Sequence, residues 1–255
     1  MIGGLFCDEP PHGRVNLPPK PLASATKLWK SCRMINATSP VPDQALLAQQ
    51  GKSVRERLDA VPGIYRVPSL KAEIWALGDF FTAQECKKLM RMIDAGAKPS
   101  LAFDTPYASG YRTSYSGDVD PYDPFIIRLQ RRIDDLLGID PAFGETMQGQ
   151  RYLEGQEFKP HTDWFPYGTK YWDQEKSRGQ RSITAMIYLN EVDGGGHTDF
   201  PELGLSFEPK PGVLLVWNNA DLQGVPNQAT LHTGSPVTAG RKYVVTKWYR
   251  VKRWY

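Results

Sequence analysis

The sequence predicts a small helical layer packed on an all-β sandwich or barrel. Two stretches of 3.6-residue apolar periodicity lie between residues 80 and 138. From about residue 146 the pattern changes to short β-rich runs separated by Gly, Pro, Asn and Asp turns. Helices followed by many short strands give segregated layers rather than a doubly wound sheet. The 255 residues, 40% apolar with a mean hydropathy of −0.46, suffice for one sizeable core in a soluble globular protein.

Residues 1–70 are rich in proline (Pro10, Pro11, Pro18, Pro19, Pro21, Pro40, Pro42, Pro62, Pro68) and weak in periodicity. One short helix is expected from Ser53, where Ser53 and Glu56 form a capping box and Val54, Leu58 and Val61 share a face. The segment is expected to be an extension that wraps a main domain, 71–255, and not a domain itself. Thr82 with Glu85 opens the first clear helix; Cys86, Leu89, Met90 and Ile93 form its stripe and Gly96 ends it. The next begins at Asp123-Pro124, carries Ile126, Leu129, Ile133, Leu136 and Leu137, and stops at Gly138. Strands are expected at 148–159, 181–189, 204–208, 212–217 and 242–250. No internal repeat is present.

Charge and cysteine usage exclude several classes. Net charge is +3, from 31 basic and 28 acidic residues, which gives no reason to invoke nucleic acid. The basic cluster Arg241-Lys242, Lys247, Arg250, Lys252 and Arg253 reads as a solvated strand edge with one functional lysine at most. No run reaches the roughly 18 apolar residues of a membrane span, and the N-terminal residues lack signal-peptide features. Cys7, Cys32 and Cys86 are odd in number and widely spaced, with no CxxC pair. A reducing, cytoplasmic setting without disulfides or structural zinc is expected, with Cys86 buried on a helix face. Oligomeric state is left open.

Histidine is scarce: His12, His161, His197 and His232. His161-Thr162-Asp163 follows a β-rich run, and in extended chain residues i and i+2 face the same side. An imidazole and a carboxylate can therefore share one ion, with His232 as the third ligand. Two histidines and one carboxylate with positions left open suit the non-haem Fe(II) oxygenases. The tripeptide recurs as His197-Thr198-Asp199, equal by spacing alone, but it begins a short element after three glycines. Context favours the first copy, since a long strand holds ligands more rigidly. His12 lies in the Pro-rich stretch and is expected to be solvated. Ten residues past His232, Arg241 or Lys242 could hold the distal carboxylate of an oxidant such as 2-oxoglutarate, but adjacent strand residues face opposite ways and only one can.

Together these segments resemble the prolyl 4-hydroxylase-like branch of the 2-oxoglutarate/Fe(II) dioxygenases, over roughly residues 78–251. GDFFTAQECKKLM looks like that family's opening helix and YRTSYSG like its next segment; RYLEGQEFKPHTD is similar to its strand ending in His-x-Asp. RSITAMIYLNEVDGGGHTDFPELG, PKPGVLLVW and LHTGSPVTAGRKYVVTKWY resemble its later strands. The resemblance implies a double-stranded β-helix, a mainly β jelly roll with flanking helices, whose open mouth holds the metal. It carries the metal ligands onto His161, Asp163 and His232, selects Lys242 as the 2-oxoglutarate anchor, and places Tyr152 and Thr198 beside that co-substrate.

Substrate positions carry over less completely. Arg181 and Trp248 match positions that line the cleft of peptidyl-proline hydroxylases. Phe158 stands where those enzymes have tyrosine, and Arg250 where they often have histidine. Losing those hydrogen-bonding groups weakens the case for peptidyl proline. The segment WFPYGTKYWDQEKSRG, 164–179, is expected to be a mobile loop that closes over substrate. The implied activity is hydroxylation of an aliphatic C–H bond with Fe(II), 2-oxoglutarate and O2, releasing succinate and CO2, with ascorbate as an optional reductant. The implied substrate is a prolyl, peptidyl or small amino-acid-like molecule, with neither nucleic acid nor membrane as partner. Competing readings are a hydroxylase of a small secondary metabolite, a catalytically silent jelly-roll binding module and a zinc cupin-like hydrolase.

Overall fold

A computed structural model describes residues 20–21, 41–99 and 112–255. The expectations for Cys7, Cys32 and His12 fall outside the described residues. The first helix, α1, runs Gln44–Leu58, nine residues earlier than the Ser53 start expected from the capping box. Its buried stripe, Leu47, Gly51, Val54 and Leu58, has helical spacing, but a glycine occupies one position and blurs the apolar signal. Gly51 is there because the helix lies against Asn218; an added Cβ would sit 2.5 Å from that amide nitrogen. Asp43 precedes the helix with φ 60 and does not cap it. Its carboxylate accepts instead from the Gln180 amide at 3.1 Å and pairs with Lys252 at 2.8 Å.

The next two helices follow their signals. In α2, Ala83–Gly96, the Thr82–Glu85 capping box forms in both directions. In α3, Pro124–Leu137, the Asp123 carboxylate accepts from the Phe125 amide at 2.7 Å, and Gly138 leaves the helix at φ 67. Both helices, with Val54 and Leu58 of α1, pack on one face of a large antiparallel sheet. Each fully buried Leu or Ile in that layer contributes about 1.5–3 kcal/mol. Among the described residues no helix is long and apolar enough to cross a membrane.

The strands that position the site are β1 Ile74–Leu77, β2 Tyr115–Asp118, β3 Gln148–Tyr152, β4 Phe158–His161, β5 Arg181–Tyr188, β6 Thr198–Phe200, β7 Leu205–Phe207, β8 Leu214–Asn218, β9 His232–Gly234 and β10 Lys242–Arg250. The large sheet runs β1-β8-β5-β10-β3-β2, with the short strands Tyr65–Arg66 and Ala97–Pro99 at its two edges. The small sheet runs β7-β6-β9-β4, with Lys20–Pro21 beside β7. The result is the jelly roll that the resemblance implies.

Strand β5 is buried on both sides, which explains its nearly continuous apolar run. Ile183, Ala185 and Ile187 face the helices; Met186 and Tyr188 face the small sheet and join Phe200, Phe207, Leu215 and Trp217 in a second core.

Two expectations change. The run 148–159 is not one strand, because β3 lies in the large sheet and β4 in the small one. The chain crosses between them in a turn at 153–157, closed by a Gln156 amide to Leu153 carbonyl bond of 3.0 Å with Gly155 at φ 77. The basic C-terminal run is not a solvated edge either. Strand β10 lies between β5 and β3, and Lys242, Lys247 and Arg250 are at most 3% exposed. Lys247 instead pairs with buried Asp134 on α3 at 3.0 Å, and Tyr249 donates to the same carboxylate at 2.6 Å.

Candidate metal centre

Strands β4 and β9 pair antiparallel with His232 directly opposite His161. Side chains of opposed residues stand on the same face, so the imidazoles meet, with ring centroids 4.2 Å apart. Each ring is oriented by its own backbone: His161 Nδ1 lies 2.8 Å from the Lys159 carbonyl, and His232 Nδ1 lies 3.0 Å from the Thr230 carbonyl. A carbonyl only accepts, so both Nδ1 atoms carry the proton and both Nε2 lone pairs are left for a ligand. Burial, and then the neighbouring His232, hold the His161 imidazole well below its ordinary pKa, which keeps it neutral.

Asp163, two residues past His161, completes the group. One of its oxygens is 3.9 Å from His232 Nε2, and the ligand atoms of all three residues lie within 4.8 Å of one another. Among the described residues this is the one group of three or more such side chains able to hold a metal. Two imidazoles and one carboxylate, each already hydrogen-bonded to the protein, form a donor set that suits Fe(II).

The second His-Thr-Asp takes the opposite phase. In β6, Thr198 and Phe200 point inward, while Asp199 accepts from the Ser206 hydroxyl at 2.5 Å. The His197 carbonyl accepts from the Ser235 amide at 2.9 Å. Thr198 Oγ1 is buried, with the Tyr188 hydroxyl as its neighbour.

Lys242 opens β10 directly opposite Tyr152. It is 3% exposed, and its ammonium lies 5.4 and 5.6 Å from the ring centroids of Tyr152 and Tyr188. Burial pushes it down to about 7, against the pull of Asp199. Among the described residues it has no ion-pair partner, so it is a buried amine without a counter-ion. A Cβ on Gly234 would come within 3.8 Å of its Nζ. Arg241 is exposed. Tyr152 is buried and donates its hydroxyl to Gln150 at 2.9 Å.

The expected substrate residues surround this centre. Phe158 stacks on His161 at 3.5 Å, and the Arg112 guanidinium lies 4.9 Å from the Phe158 ring. Arg181 is held by Glu145 through two bonds of 2.6 and 2.7 Å and lies 4.2 Å from the Trp248 ring. Glu145 is shared with Arg250, which also bonds Glu175 at 2.7 Å and the Gly179 carbonyl at 3.0 Å. Burial opposes ionisation of Glu145, but Arg181 and then Arg250 outweigh it and hold the carboxyl below its ordinary range.

The loop 164–179 is therefore tied down rather than loose. It carries a short helix α4, Lys170–Glu175, and buries Trp164, Phe165 and Trp172. Its ends are fastened by the Gln180 amide group to Phe165 and by Tyr167, whose hydroxyl donates to the Pro42 carbonyl at 2.7 Å. The sequence reading missed Glu145, Asn219 and Thr184. Thr184 alone had a signal, being one of two hydroxyls, with Ser182, on the same face of a mostly apolar run.

Comparison with known proteins agrees with this arrangement. Residues 147–250 match the family described as the 2OG-Fe(II) oxygenase superfamily. The chain is 36% identical over 161 residues to prolyl 4-hydroxylase subunit alpha-1 of Rattus norvegicus, a match covering 60% of this chain and 30% of that protein. Subunit alpha-3 of the same species is 33% identical over 180 residues, covering 67% and 32%. The chain thus spans about a third of the length of these relatives. Among solved structures, the viral collagen prolyl hydroxylase of Paramecium Bursaria Chlorella virus-1, in complex with 2OG, superposes with a TM-score of 0.55 at 26% identity. That match covers 69% of this chain and 94% of the other. A prolyl hydroxylase from Trichoplax adhaerens shares the fold, with a TM-score of 0.55 at 15% identity over 84% and 94%.

Proposed function

Because the chain belongs to the prolyl 4-hydroxylase-like 2OG-Fe(II) oxygenases, we propose that it hydroxylates an aliphatic C–H bond of a prolyl, peptidyl or small amino-acid-like substrate. The observation that carries this is the convergence of His161, Asp163 and His232 with both Nδ1 atoms tied back to backbone carbonyls. Those three residues hold Fe(II). Bound iron with 2-oxoglutarate and O2 supplies the oxidising power, and succinate and CO2 are the co-products.

The chain's own part is to bind, orient and exclude water. Lys242 takes the distal carboxylate of 2-oxoglutarate, giving the buried ammonium its missing counter-ion. Thr198, inward and buried, donates its hydroxyl to the same co-substrate, and Tyr152 stands beside Lys242. Phe158, Arg181 and Trp248 line the substrate side; the Glu145 clamp makes Arg181 a fixed wall. The loop 164–179 keeps water from the centre. Residues 71–255 form the catalytic domain, and 1–70 form an extension whose helix α1 lends Val54 and Leu58 to the main core.

The test supplies purified protein with Fe(II), 2-oxoglutarate and ascorbate, and screens proline peptides, free amino acids and small metabolites by succinate release and product mass. A substrate-dependent gain of one oxygen, lost in Asp163→Ala, is the expected result. Succinate release no faster than in protein-free controls across the whole panel would leave a silent binding module as the better reading.

A further inference from the structure

Thr184 is fully buried, yet it carries a hydroxyl between two tryptophans: Trp217 of β8 and Trp248 of β10 stand opposite it on the neighbouring strands. A valine would fill that position without a polar atom to satisfy, and a buried hydroxyl is costly unless hydrogen-bonded. Here it makes two bonds. It donates to Asp163 Oδ2 at 2.7 Å and accepts from Asn219 Nδ2 at 2.9 Å. The direction is forced by chemistry. An ionised carboxylate only accepts, a hydroxyl has one proton, and so the proton goes to Asp163 and Asn219 must present its NH2. Asn219 is itself 1% exposed and fixed by its backbone, donating to the Ser182 carbonyl at 2.7 Å and accepting from the Asn227 amide at 2.9 Å. Asp163 is carried by the segment after β4, in the small sheet, while Thr184 and Asn219 belong to the large sheet and its continuation. The relay therefore spans the two sheets and ends on one oxygen of one carboxylate.

We propose that Thr184 is a positioning residue for the metal centre: its hydroxyl grips Asp163 Oδ2, the oxygen that lies 3.9 Å from His232 Nε2, and so fixes the direction in which the carboxylate meets the ion. The proposal rests on the reading of Asp163 as an iron ligand. A carboxylate free to rotate would present its oxygens to the ion in no fixed direction, and a metal ligand is held best when its outer hydrogen bond fixes it. The Asn219–Thr184 relay sets the orientation of the carboxylate, and it does so before any metal arrives. Removing an outer partner of this kind typically costs 10–100-fold in metal affinity.

The experiment measures Mn(II) affinity by calorimetry, and the visible absorption of the Co(II)-loaded protein, for the full chain without co-substrate. Thr184→Val, which keeps the shape and deletes the hydroxyl, is expected to weaken Mn(II) binding about 10–100-fold and to shift the Co(II) bands. Thr184→Ser restores the hydroxyl and is expected to stay within about threefold of the parent, with its bands unshifted. Asn219→Ala leaves β5 intact and is expected to lose about three- to tenfold; it decides the matter if Thr184→Val does not fold. Parent-like affinity and spectrum in Thr184→Val, or equal losses in the Val and Ser variants, overturn the proposal. Asp163→Ala is the control: if it binds Mn(II) like the parent, the metal-site reading itself fails, whereas its loss alongside an unaffected Thr184→Val sinks only the relay.

Discussion

The chain contains the tripeptide His-Thr-Asp twice, and the two copies do opposite things. In the first, the outer residues converge with His232 and the threonine is set aside. In the second, the threonine faces the interior while Asp199 is spent on Ser206. The difference is one residue of phase. A strand turns successive side chains to opposite faces, so a shift of one exchanges what is inside for what is outside. The first copy is phased by His161 pairing opposite His232; the second by Thr198 pairing opposite Phe207 and Gly234. A motif written as three letters thus specifies a metal site only together with its register.

That contrast can be broken deliberately. The largest effect is expected from Asp163→Ala, which should abolish iron-dependent turnover, while His197→Ala should keep activity within about twofold. The reverse pattern, read in a succinate assay, would assign the centre to the wrong copy. Next comes Lys242→Ala, expected to raise the 2-oxoglutarate requirement about 10–100-fold, as charge-assisted bonds are worth roughly 1.5–3 kcal/mol. An unchanged KM for 2-oxoglutarate would transfer the anchor to another cation. Thr198→Val should act in the same direction but by about fivefold, since it removes one neutral hydrogen bond.

The lysine also gives a pH signature. With its folded value pushed down to about 7 by burial, Lys242 is charged below that pH and neutral above it until an anion binds beside it. Binding a carboxylate favours the ammonium, so complex formation at pH 8–9 must take up a proton, and affinity must fall as pH rises above 7. Asp199 opposes the burial effect, and the facing Tyr152 and Tyr188 stay neutral, their hydroxyls held above the ordinary value by burial. Calorimetry of 2-oxoglutarate binding to the Mn(II)-loaded protein, repeated in buffers of different ionisation enthalpy, reads the proton number directly; zero uptake at pH 8.5 would mean that the lysine is already charged. For stability the sign is opposite. The unfolded chain holds this proton up to about 10.4. The stability cost of burying the lysine is therefore fully present below 7 and relieved as pH rises from 7 towards that value.

Much of the fold was legible in the sequence because local and tertiary preferences agree there. The Thr82–Glu85 box, Pro124 and Gly138 mark helix ends with residues that suit those positions whatever the surroundings. Helix α1 was misplaced because its stripe contains Gly51, chosen by the close approach of Asn218. The break at 153–157 was missed because Gly155 and Gln156 look like ordinary strand interruptions until the two sheets are known. At the site, the convergence of His161, Asp163 and His232 could be anticipated from chemistry and spacing. Glu145 and Asn219 could not, since each acquires its role only through residues distant in sequence.

The loop beside the metal is fastened at one end to Pro42 through Tyr167 and at the other to Asp43 through Gln180. Both anchors precede helix α1 and lie outside residues 147–250, the span of the family match. Trimming the protein to residue 44, a natural choice when shortening it for expression, would cut both moorings while sparing every ligand. Such a shortened enzyme should still load iron, yet accept bulkier substrates and waste more 2-oxoglutarate in turnover uncoupled from product.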